Sequence, residues 1–383
     1  MTWAIFSIVA TDLSPSGCSA YTYHQTAYDP YMRAPFFQLS EQMVDNATTN
    51  GGTHPAYPFL TGHGGANQVV LFGYLGLRLL PDDILHIDPN PPPQLPHIQY
   101  RTFYWRGWPI AARSNATHTT LARADLDPLD TADMRFANAS IAVHVGFETN
   151  GTSEASYELP ATGELTVPNG RIGWIPTTDG NMAQCLPVAS RDAYAPGQFP
   201  IAVVDGATST RWQPASSKIS AVTVDLGRGA AVAGANVTAF HFDWAAMPPV
   251  NATVVFHDVP LRDPAAVAAG AHEGGDYRVV ATLTDIAQSK PYRADSEEFT
   301  AVAVPVGNTT DVRLDAPVQA ARYATLLISG NQGLAAGDED VGATVAEWAI
   351  ISPAMQTHAQ QRRSGRARSD MLDRTMLRGR IGK

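Results

Sequence analysis

The chain has 383 residues, so we expect two or three domains rather than one core. Only 16% of the residues are charged and Gly and Pro are abundant, which favours short strands joined by turns over long surface helices. The net charge of −10 is unevenly distributed: residues 358–383 carry seven Arg and one Lys against two Asp, so the remainder is acidic and excludes nucleic acid as an expected partner.

The first 81 residues are predicted to be mostly helical. A first helix covers residues 3–10 and is stopped by Ser-Pro-Ser-Gly at 14–17. The following loop is rich in tyrosine, and such loops either line sugar sites or pack as structural covers. A second helix, residues 66–77, is apolar nearly all round and therefore belongs inside a large helical domain. The tyrosines of the loop are Tyr21, Tyr23, Tyr28 and Tyr31.

After residue 81 the hydrophobic period changes to that of strands. Residues 98–113, 141–147 and 164–167 predict an antiparallel β-sandwich domain over 82–186. A second β region covers 187–353, with predicted strands at 221–226, 237–242, 253–256, 277–283, 299–304, 312–314, 323–328 and 344–351. The basic tail, 354–383, is interpreted as a disordered terminus, with a polyanion-binding segment as the alternative.

Passage through a secretory pathway is indicated by seven Asn-X-Ser/Thr sequons. Cys18 and Cys185 can pair in an oxidising compartment, although sequence spacing does not show that they are close. The apolar run at residues 3–10 lacks a basic flank and a clean cleavage site, and it is too short to span a membrane. We therefore expect Met1 to be an internal methionine of a longer extracellular, cell-wall or vacuolar protein. The sequons begin at Asn46, Asn115, Asn138, Asn150, Asn236, Asn251 and Asn308.

The segment richest in chemical features is residues 50–77, where Thr-Gly-His-Gly-Gly at 61–65 leads into the predicted second helix. Glycines there would let backbone amides approach a ligand oxygen at the helix N-terminus. A Gly-rich turn before a buried helix explains the same pattern.

A resemblance covers roughly residues 1–115. The stretches MTWAIFSIV, FFQLSEQ, PAYPFLTGHGGANQVVLFGYLGLRLLPD and YWRGWPI resemble the late catalytic region of glycoside hydrolase family 65, especially its fungal acid trehalases. The resemblance implies that residues 1–81 are the end of an (α/α)6 barrel and that a β-sandwich follows. It also implies hydrolysis with inversion, with one Glu as general acid and a second Glu as general base, and no cofactor for catalysis.

Within this resemblance, Glu41 falls in the loop where the family places the base. The alternative is an ordinary solvated loop carboxylate. His63, Gly64 and Gly65 are the implied substrate-binding residues, with a hydrogen-bonded structural histidine as the alternative for His63. The two glycines replace hydroxyl residues that hold phosphate in the family's phosphorylases. Water is therefore the expected acceptor. No segment matches the motif of the general acid, so the chain alone is expected to be catalytically incomplete.

A second resemblance covers about residues 187–353. Val-Asp-Gly at 204–206, Thr-Arg-Trp at 210–212, VTVDLG at 222–227, ARY at 321–323 and VAEWAI at 345–350 resemble a coagulation factor 5/8 type C (discoidin) domain. Such modules often bind glycans or lipid head groups and commonly hold a structural calcium ion. Asp205, Thr210 and Glu347 are the candidate oxygen ligands, with a tight turn and a strand cap as alternatives.

Taken together, the expected fold is multidomain α + β, ending in a discoidin-like jelly roll. The first hypothesis is the C-terminal part of an acid α,α-trehalase acting on trehalose. The alternative is a non-catalytic protein that binds glycan or cell wall through the discoidin-like domain. A trehalose phosphorylase is disfavoured by Gly64 and Gly65.

Overall fold

The structure is a computed structural model that describes residues 2–146, 155–170, 176–227, 235–261, 263–268, 277–288, 308–334 and 340–355. The chain divides into two compact units, unit 1 (Met1–Trp174) and unit 2 (Ile175–Lys383). The predicted domains 1–81 and 82–186 thus lie largely together in unit 1, and unit 2 begins before residue 187. Most of the predicted tail, from residue 356 onward, lies outside the described residues.

Unit 1 opens with two helices that pack on each other, α1 (Thr2–Leu13) and α2 (Cys18–Tyr28). α1 ends where the Ser-Pro-Ser-Gly sequence begins, as predicted. The prediction of a tyrosine-rich loop is wrong, because Tyr21, Tyr23 and Tyr28 lie in α2 and Tyr31 lies in the 3-10 turn after it. Their aromatic rings pack against α1: Tyr23 stacks on Trp3 with ring centroids 6.0 Å apart.

A short 3-10 turn (Asp29–Tyr31) and the two-stranded pair β1 (Met32–Arg33) and β2 (Gln38–Leu39) follow α2. The next helix, α3 (Leu60–Gln68), continues into a π-helical turn, Val69–Tyr74. The predicted second helix, 66–77, therefore begins earlier than expected and changes its hydrogen-bonding pattern midway. Its interior character is confirmed by Val69, Tyr74, Leu75 and Leu77, which are all buried.

The β part of unit 1 contains two sheets. The larger runs in the order β10-β7-β6-β4, with β5 paired to β6, and all its pairs are antiparallel. In the smaller sheet, β3-β8-β9, the β3–β8 pair is parallel, so the prediction of a purely antiparallel arrangement is wrong. The strands are β3 (Ile84–Ile87), β4 (His97–Gln99), β5 (Phe103–Trp105), β6 (Trp108–Asn115), β7 (His118–Arg123), β8 (Ile141–Val145), β9 (Ala155–Leu159) and β10 (Glu164–Pro168).

One predicted strand, 98–113, is broken into three because the chain turns within it. Arg106 and Gly107 both have positive φ, 46° and 81°, and they form the tight turn between β5 and β6. Trp105 and Trp108 face each other across that turn. A 3-10 turn at Met134–Phe136 lies between β7 and β8.

The helices and sheets of unit 1 share one hydrophobic core. Tyr74 and Leu75 of the helical part pack in the same cluster as Leu85 and Ile87 of β3. The passage between the two parts depends on Gly76, which has a φ of +65°. A Cβ atom there would lie 2.2 Å from the carbonyl oxygen of Asp88, so the close approach requires glycine.

Unit 2 is built from two antiparallel sheets. One runs β11-β12-β17-β14-β15 and the other β16-β13-β18. Within the described residues every predicted strand of this region is present, while the predicted strand 299–304 lies outside them. The strands are β11 (Val188–Ser190), β12 (Ser220–Asp225), β13 (Asn236–Asp243), β14 (Asn251–His257), β15 (Tyr277–Leu283), β16 (Thr309–Gln319), β17 (Tyr323–Ser329) and β18 (Glu347–Ile351). A 3-10 turn (Pro200–Val204) and α4 (Pro264–Ala268) complete the unit.

Aromatic side chains fill the space between these sheets. Trp212, Trp244 and Trp348 are fully buried. Phe242 stacks on Trp244 with ring centroids 4.7 Å apart, nearly parallel. Met182 and Ala183 belong to the same core, which is why the unit starts before residue 187. In the described part of the whole chain, no helix combines the length and apolarity that crossing a membrane would require.

Candidate active site and candidate cation site

Glu41, the predicted general base, follows β2 and lies on the surface of unit 1. Its backbone N–H donates to the carbonyl of Ala56 at 3.0 Å, and its Oε2 accepts the N–H of Ala56, also at 3.0 Å. One carboxylate oxygen is thus fixed by the backbone, and the exposed side chain keeps Oε1 without a hydrogen bond to any described residue. This geometry suits a carboxylate that must hold an orientation while it accepts a proton.

The loop after Glu41 is held by an ion pair between Arg33 and Asp45 that the sequence did not predict. Arg33 Nε lies 2.5 Å from Asp45 Oδ2, and the same guanidinium donates to the carbonyls of Gln42 and Met43 at 2.8 Å. Ser40 Oγ donates to Asp45 Oδ1 at 2.7 Å. The hydrogen bonds from Arg33, and to a lesser extent from Ser40, lower the pKa of Asp45. This carboxylate therefore stays ionised and remains paired with Arg33.

His63 lies on α3 and faces β2. Its Nε2 accepts the backbone N–H of Leu39 at 3.0 Å. The carbonyl of the same residue, Leu39, accepts the N–H of Phe59 at 2.7 Å. Because a backbone N–H can only donate, Nε2 carries no proton in this arrangement and Nδ1–H remains available as a donor. Leu39 therefore joins α3, which carries His63, to β2, the strand that precedes Glu41.

Gly64 and Gly65 lie inside α3 rather than in a loop before a helix, so that expectation about their backbone is wrong. The helix begins at Leu60, and the N–H of His63 already bonds to the carbonyl of Phe59. From this turn onward the amides are directed into the helix. Gly64 is exposed and has no atom within 4 Å of the position of a Cβ, whereas Gly65 is buried. Their role in binding substrate stays a prediction.

A half-buried histidine near this region, His24, has no sequence signal that marks it. His24 Nδ1 lies 3.0 Å from the hydroxyl of Tyr74, and its ring packs edge-on against Tyr28 and Tyr74. Burial lowers the pKa of His24 to about 4. Burial also raises the pKa of Tyr74. The imidazole is thus neutral at most pH values and links α2 to the π-helical turn.

In unit 2 the three predicted cation ligands do converge. Thr210 Oγ1 donates to Asp205 Oδ2 at 2.8 Å, and Glu347 Oε2 accepts the N–H of Gly206 at 3.0 Å. All three side chains are buried, Asp205 completely. The backbone bridge between Trp212 and Val345 aligns the 205–210 turn with the start of β18, which explains how residues so distant in sequence meet.

The electrostatics of this cluster disfavour the ionised form of Glu347 beside Asp205. Burial, followed by the charges of Asp205 and Asp243, raises the pKa of Glu347 well above its usual range. Glu347 Oε1 is buried and has no hydrogen-bond partner. Among the described residues no group of three or more His, Cys, Asp or Glu side chains is arranged around one metal position. A cation here would therefore take two carboxylates, the threonine hydroxyl and backbone or water oxygens.

The predicted glycosylation sites differ in accessibility. Asn308 is buried, and its Nδ2 donates to the carbonyl of Ala245 at 2.7 Å. Asn150 lies outside the described residues. The other five sequon asparagines are exposed: Asn46, Asn115, Asn138, Asn236 and Asn251. Their glycosylation stays a prediction.

Comparisons with known proteins bear on both units. Residues 77–131 match the family described as Glycosyl hydrolase family 65, C-terminal domain. The acid trehalase of Emericella nidulans is 64% identical over 356 residues, covering 92% of this chain and 33% of that protein. The cell wall acid trehalase of Arthroderma benhamiae is 52% identical over 364 residues, covering 92% of this chain and 34% of that protein.

Among solved structures, chitosan-binding module 1 of a chitosanase/glucanase from Paenibacillus sp. IK-5 aligns with a TM-score of 0.30 at 14% identity, covering 45% of this chain and 98% of the module. The chain spans about a third of the length of the curated relatives it matches. The chain is thus similar to fungal acid trehalases over most of its own length, and residues 77–131 match the C-terminal domain of glycosyl hydrolase family 65.

Proposed function

We propose that this chain is part of an acid α,α-trehalase that hydrolyses trehalose to glucose with inversion at the anomeric carbon. The observation that carries the proposal is the 64% identity to an acid trehalase over 92% of the chain. Helices α1, α2 and α3 would then be the end of an (α/α)6 barrel, and the sheets of unit 1 the β-sandwich that follows it.

In this proposal Glu41 is the general base. It takes a proton from a water molecule while that oxygen attacks the anomeric carbon, and the bond from this carbon to the glycosidic oxygen breaks as a general acid protonates the leaving glucose. In inverting enzymes the two carboxyl groups stand roughly 6.5–9.5 Å apart to leave room for the water. The resemblance assigns no residue of this chain to the acid, so we propose that another part of the protein supplies it.

Hydrolysis rather than phosphorolysis follows from the chemistry around His63. Gly64 and Gly65 offer no hydroxyl donors to a phosphate, and the space beside Gly64 is open. His63 keeps only its Nδ1–H for a ligand, because Nε2 is occupied by the N–H of Leu39. Water is thus the acceptor that this arrangement favours.

The experiment that tests this function is an assay of the full-length protein on trehalose, with and without phosphate. We expect glucose as the product at the same rate in both conditions. Glucose 1-phosphate as the main product, or no turnover of trehalose at all, would contradict the proposal. Under this proposal, a chain expressed from Met1 of the present sequence should not hydrolyse trehalose, because the general acid is expected in another part of the protein.

For unit 2 we propose a discoidin-like sandwich that holds a structural calcium ion through Asp205, Thr210 and Glu347. The orphaned Oε1 of Glu347 supports this, because a buried carboxylate oxygen without a partner is costly unless a proton or a cation neutralises it. Hard oxygen donors of this kind suit calcium. The ion would neutralise the cluster and fix the 205–210 turn to β18.

We further propose an extracellular or cell-wall location, in which unit 2 also contacts cell-wall glycan. The support is the name of one relative, a cell wall acid trehalase, and the five exposed sequons. The vacuole stays a second expectation. The alternative is a non-catalytic protein that only binds glycan. None of the contacts described around Glu41 or His63 supports it.

A further inference from the structure

Leu39 is the last residue of β2, the strand that precedes Glu41. Both of its backbone groups are hydrogen-bonded, one to His63 of α3 and the other to Phe59, the residue before α3. Leu39 is buried, its N–H donates to His63 Nε2 at 3.0 Å, and its carbonyl accepts the N–H of Phe59 at 2.7 Å. Glu41 follows two residues later and is held on Ala56 by its own N–H and by Oε2. One residue, Ser40, separates the position held by α3 from the position held by Ala56, so both sets of hydrogen bonds determine where the Glu41 backbone lies.

The first turn of α3 packs against Leu39 without space to spare. A Cβ atom at Gly62 would lie 2.7 Å from Phe59 Cδ1 and 3.3 Å from Leu39 Cδ1. His63, the next residue, is half-buried and directs Nε2 onto the N–H of Leu39. The imidazole thus connects the helix to the strand at the point where the two elements are already in contact.

We infer that His63 is a positioning residue for Glu41: its Nε2 holds the Leu39 backbone so that the Glu41 carboxylate keeps a fixed orientation. This inference rests on the proposed function, in which Glu41 is the general base. It assigns His63 a role through Leu39, in place of a primary role in holding the sugar. A side chain that accepts a hydrogen bond at this position can replace it in part, whereas a side chain without an acceptor cannot.

The first test needs no activity and uses the full-length protein, in which the exposed apolar surface of unit 1 keeps any further contacts. Hydrogen exchange of the Leu39 amide should be about five to ten times faster in His63→Ala than in the unmodified protein, because one backbone hydrogen bond is lost. His63→Gln, whose Oε1 can accept, should restore much of the protection. His54→Ala is the matched control, since His54 is exposed in the same region, and it should leave exchange of Leu39 unchanged.

Should the alanine variant fail to fold, the unmodified protein decides the matter. Nitrogen-15 NMR of the imidazole should find neutral His63 protonated on Nδ1 and unprotonated on Nε2. A proton on Nε2, or equal Leu39 exchange in the unmodified protein and in folded His63→Ala, would overturn the inference.

The second test uses the full-length protein and trehalose. His63→Ala should lower kcat about ten- to a hundredfold, since a small misplacement of a reacting group has effects of this size, while KM changes little. His63→Gln should recover part of kcat. A rise in KM with unchanged kcat would show that His63 binds substrate and would refute the positioning role. If the unmodified protein releases no glucose from trehalose, the proposed function fails, and the Leu39 measurements still decide whether His63 holds the strand.

Discussion

Units 1 and 2 differ in how many large apolar side chains they leave exposed to solvent. Among the described residues, sixteen exposed large apolar side chains lie in unit 1 and four in unit 2. Helix α1 shows the contrast clearly: it buries Ala4, Ser7, Ala10 and Thr11. Four of its large side chains, Ile5, Phe6, Val9 and Leu13, are exposed, whereas Trp3 and Ile8 are half-buried against the core. A helix with several large apolar side chains on its exposed face is expected to pack that face against another structural element or protein.

Unit 2, by contrast, places its three largest side chains, Trp212, Trp244 and Trp348, in complete burial between two sheets. In the described part of unit 2, the exposed large apolar side chains are limited to Tyr194, Ile219, Val250 and Val259. We conclude that unit 2 has the properties of an independent fold. The helical part of unit 1, which carries Glu41 and His63, leaves large apolar side chains exposed, so we expect its stability to depend on further contacts.

Separate expression of the two units tests whether unit 2 folds on its own and unit 1 does not. Residues 175–355 should be soluble and unfold cooperatively, whereas residues 1–174 should aggregate, since each large apolar side chain left exposed forfeits roughly 1.5–3 kcal/mol. Solubility, light scattering and thermal unfolding measure both. A soluble, monomeric unit 1 with a cooperative transition would remove the contrast.

A pair of substitutions in α1 provides the control for that experiment. Val9→Gln, on the exposed face, should reduce aggregation without lowering the melting temperature. Ala10→Gln, at a position only 7% exposed, should lower it, because a larger polar side chain must enter the packed face.

Calcium sharpens the description of unit 2. At neutral pH the ion should raise its stability by about 2.7 kcal/mol at a calcium concentration a hundredfold above Kd. Since the folded-state pKa of Glu347 is raised, the folded form binds a proton more tightly than the unfolded chain, so stability without calcium falls as pH rises above the ordinary Glu value. Calcium must displace that proton, and its effect should therefore shrink in acid.

Thermal unfolding with calcium or a chelator measures this effect. Glu347→Gln should abolish the response to calcium. Asp311→Asn is the control, because the Asp311 side chain is 81% exposed, and it should leave the response intact. An equal calcium response in Glu347→Gln would exclude Glu347 as a ligand.

The smallest of these effects concerns His24 in unit 1. Burial lowers its pKa to about 4 from the ordinary 6.5, so between these values the unfolded chain binds more protons than the folded one. The free energy of unfolding should therefore fall as pH drops through this range, by an amount on the order of 2 kcal/mol. His24→Gln should flatten this dependence in urea titrations at pH 4 and 6.5, and His97→Gln, at an exposed position, should not. An unchanged slope in His24→Gln would show that His24 is not the cause.

The sequence predicted the strands of unit 2 well because alternating β-branched and aromatic residues specify a sheet locally, as in β13 and β17. It failed for α2, where a run of tyrosines suggested a loop, whereas the residues form a helix in which Tyr23 packs on Trp3 of α1. The parallel β3–β8 pairing and the contact of His24 with Tyr74 join residues far apart in sequence, and no local pattern encodes them.

The candidate sites divide in the same way. Asp205, Thr210 and Glu347 were found through a resemblance, and the structure brings them together. The hydrogen bonds from Leu39 to His63 and from Ala56 to Glu41, and the Arg33–Asp45 ion pair, were not predicted, because each depends on how loops fold back on α3 and β2.

The most direct test of the account is Glu41→Gln in the full-length protein, assayed on trehalose. The amide keeps the shape of the side chain and can still accept the N–H of Ala56, but it cannot take a proton from water. We expect kcat to fall by about 10²–10⁴ with unchanged thermal stability, as for the loss of a general base. Turnover close to that of the unmodified enzyme would contradict the assignment of Glu41 and, with it, the placement of the active site in unit 1.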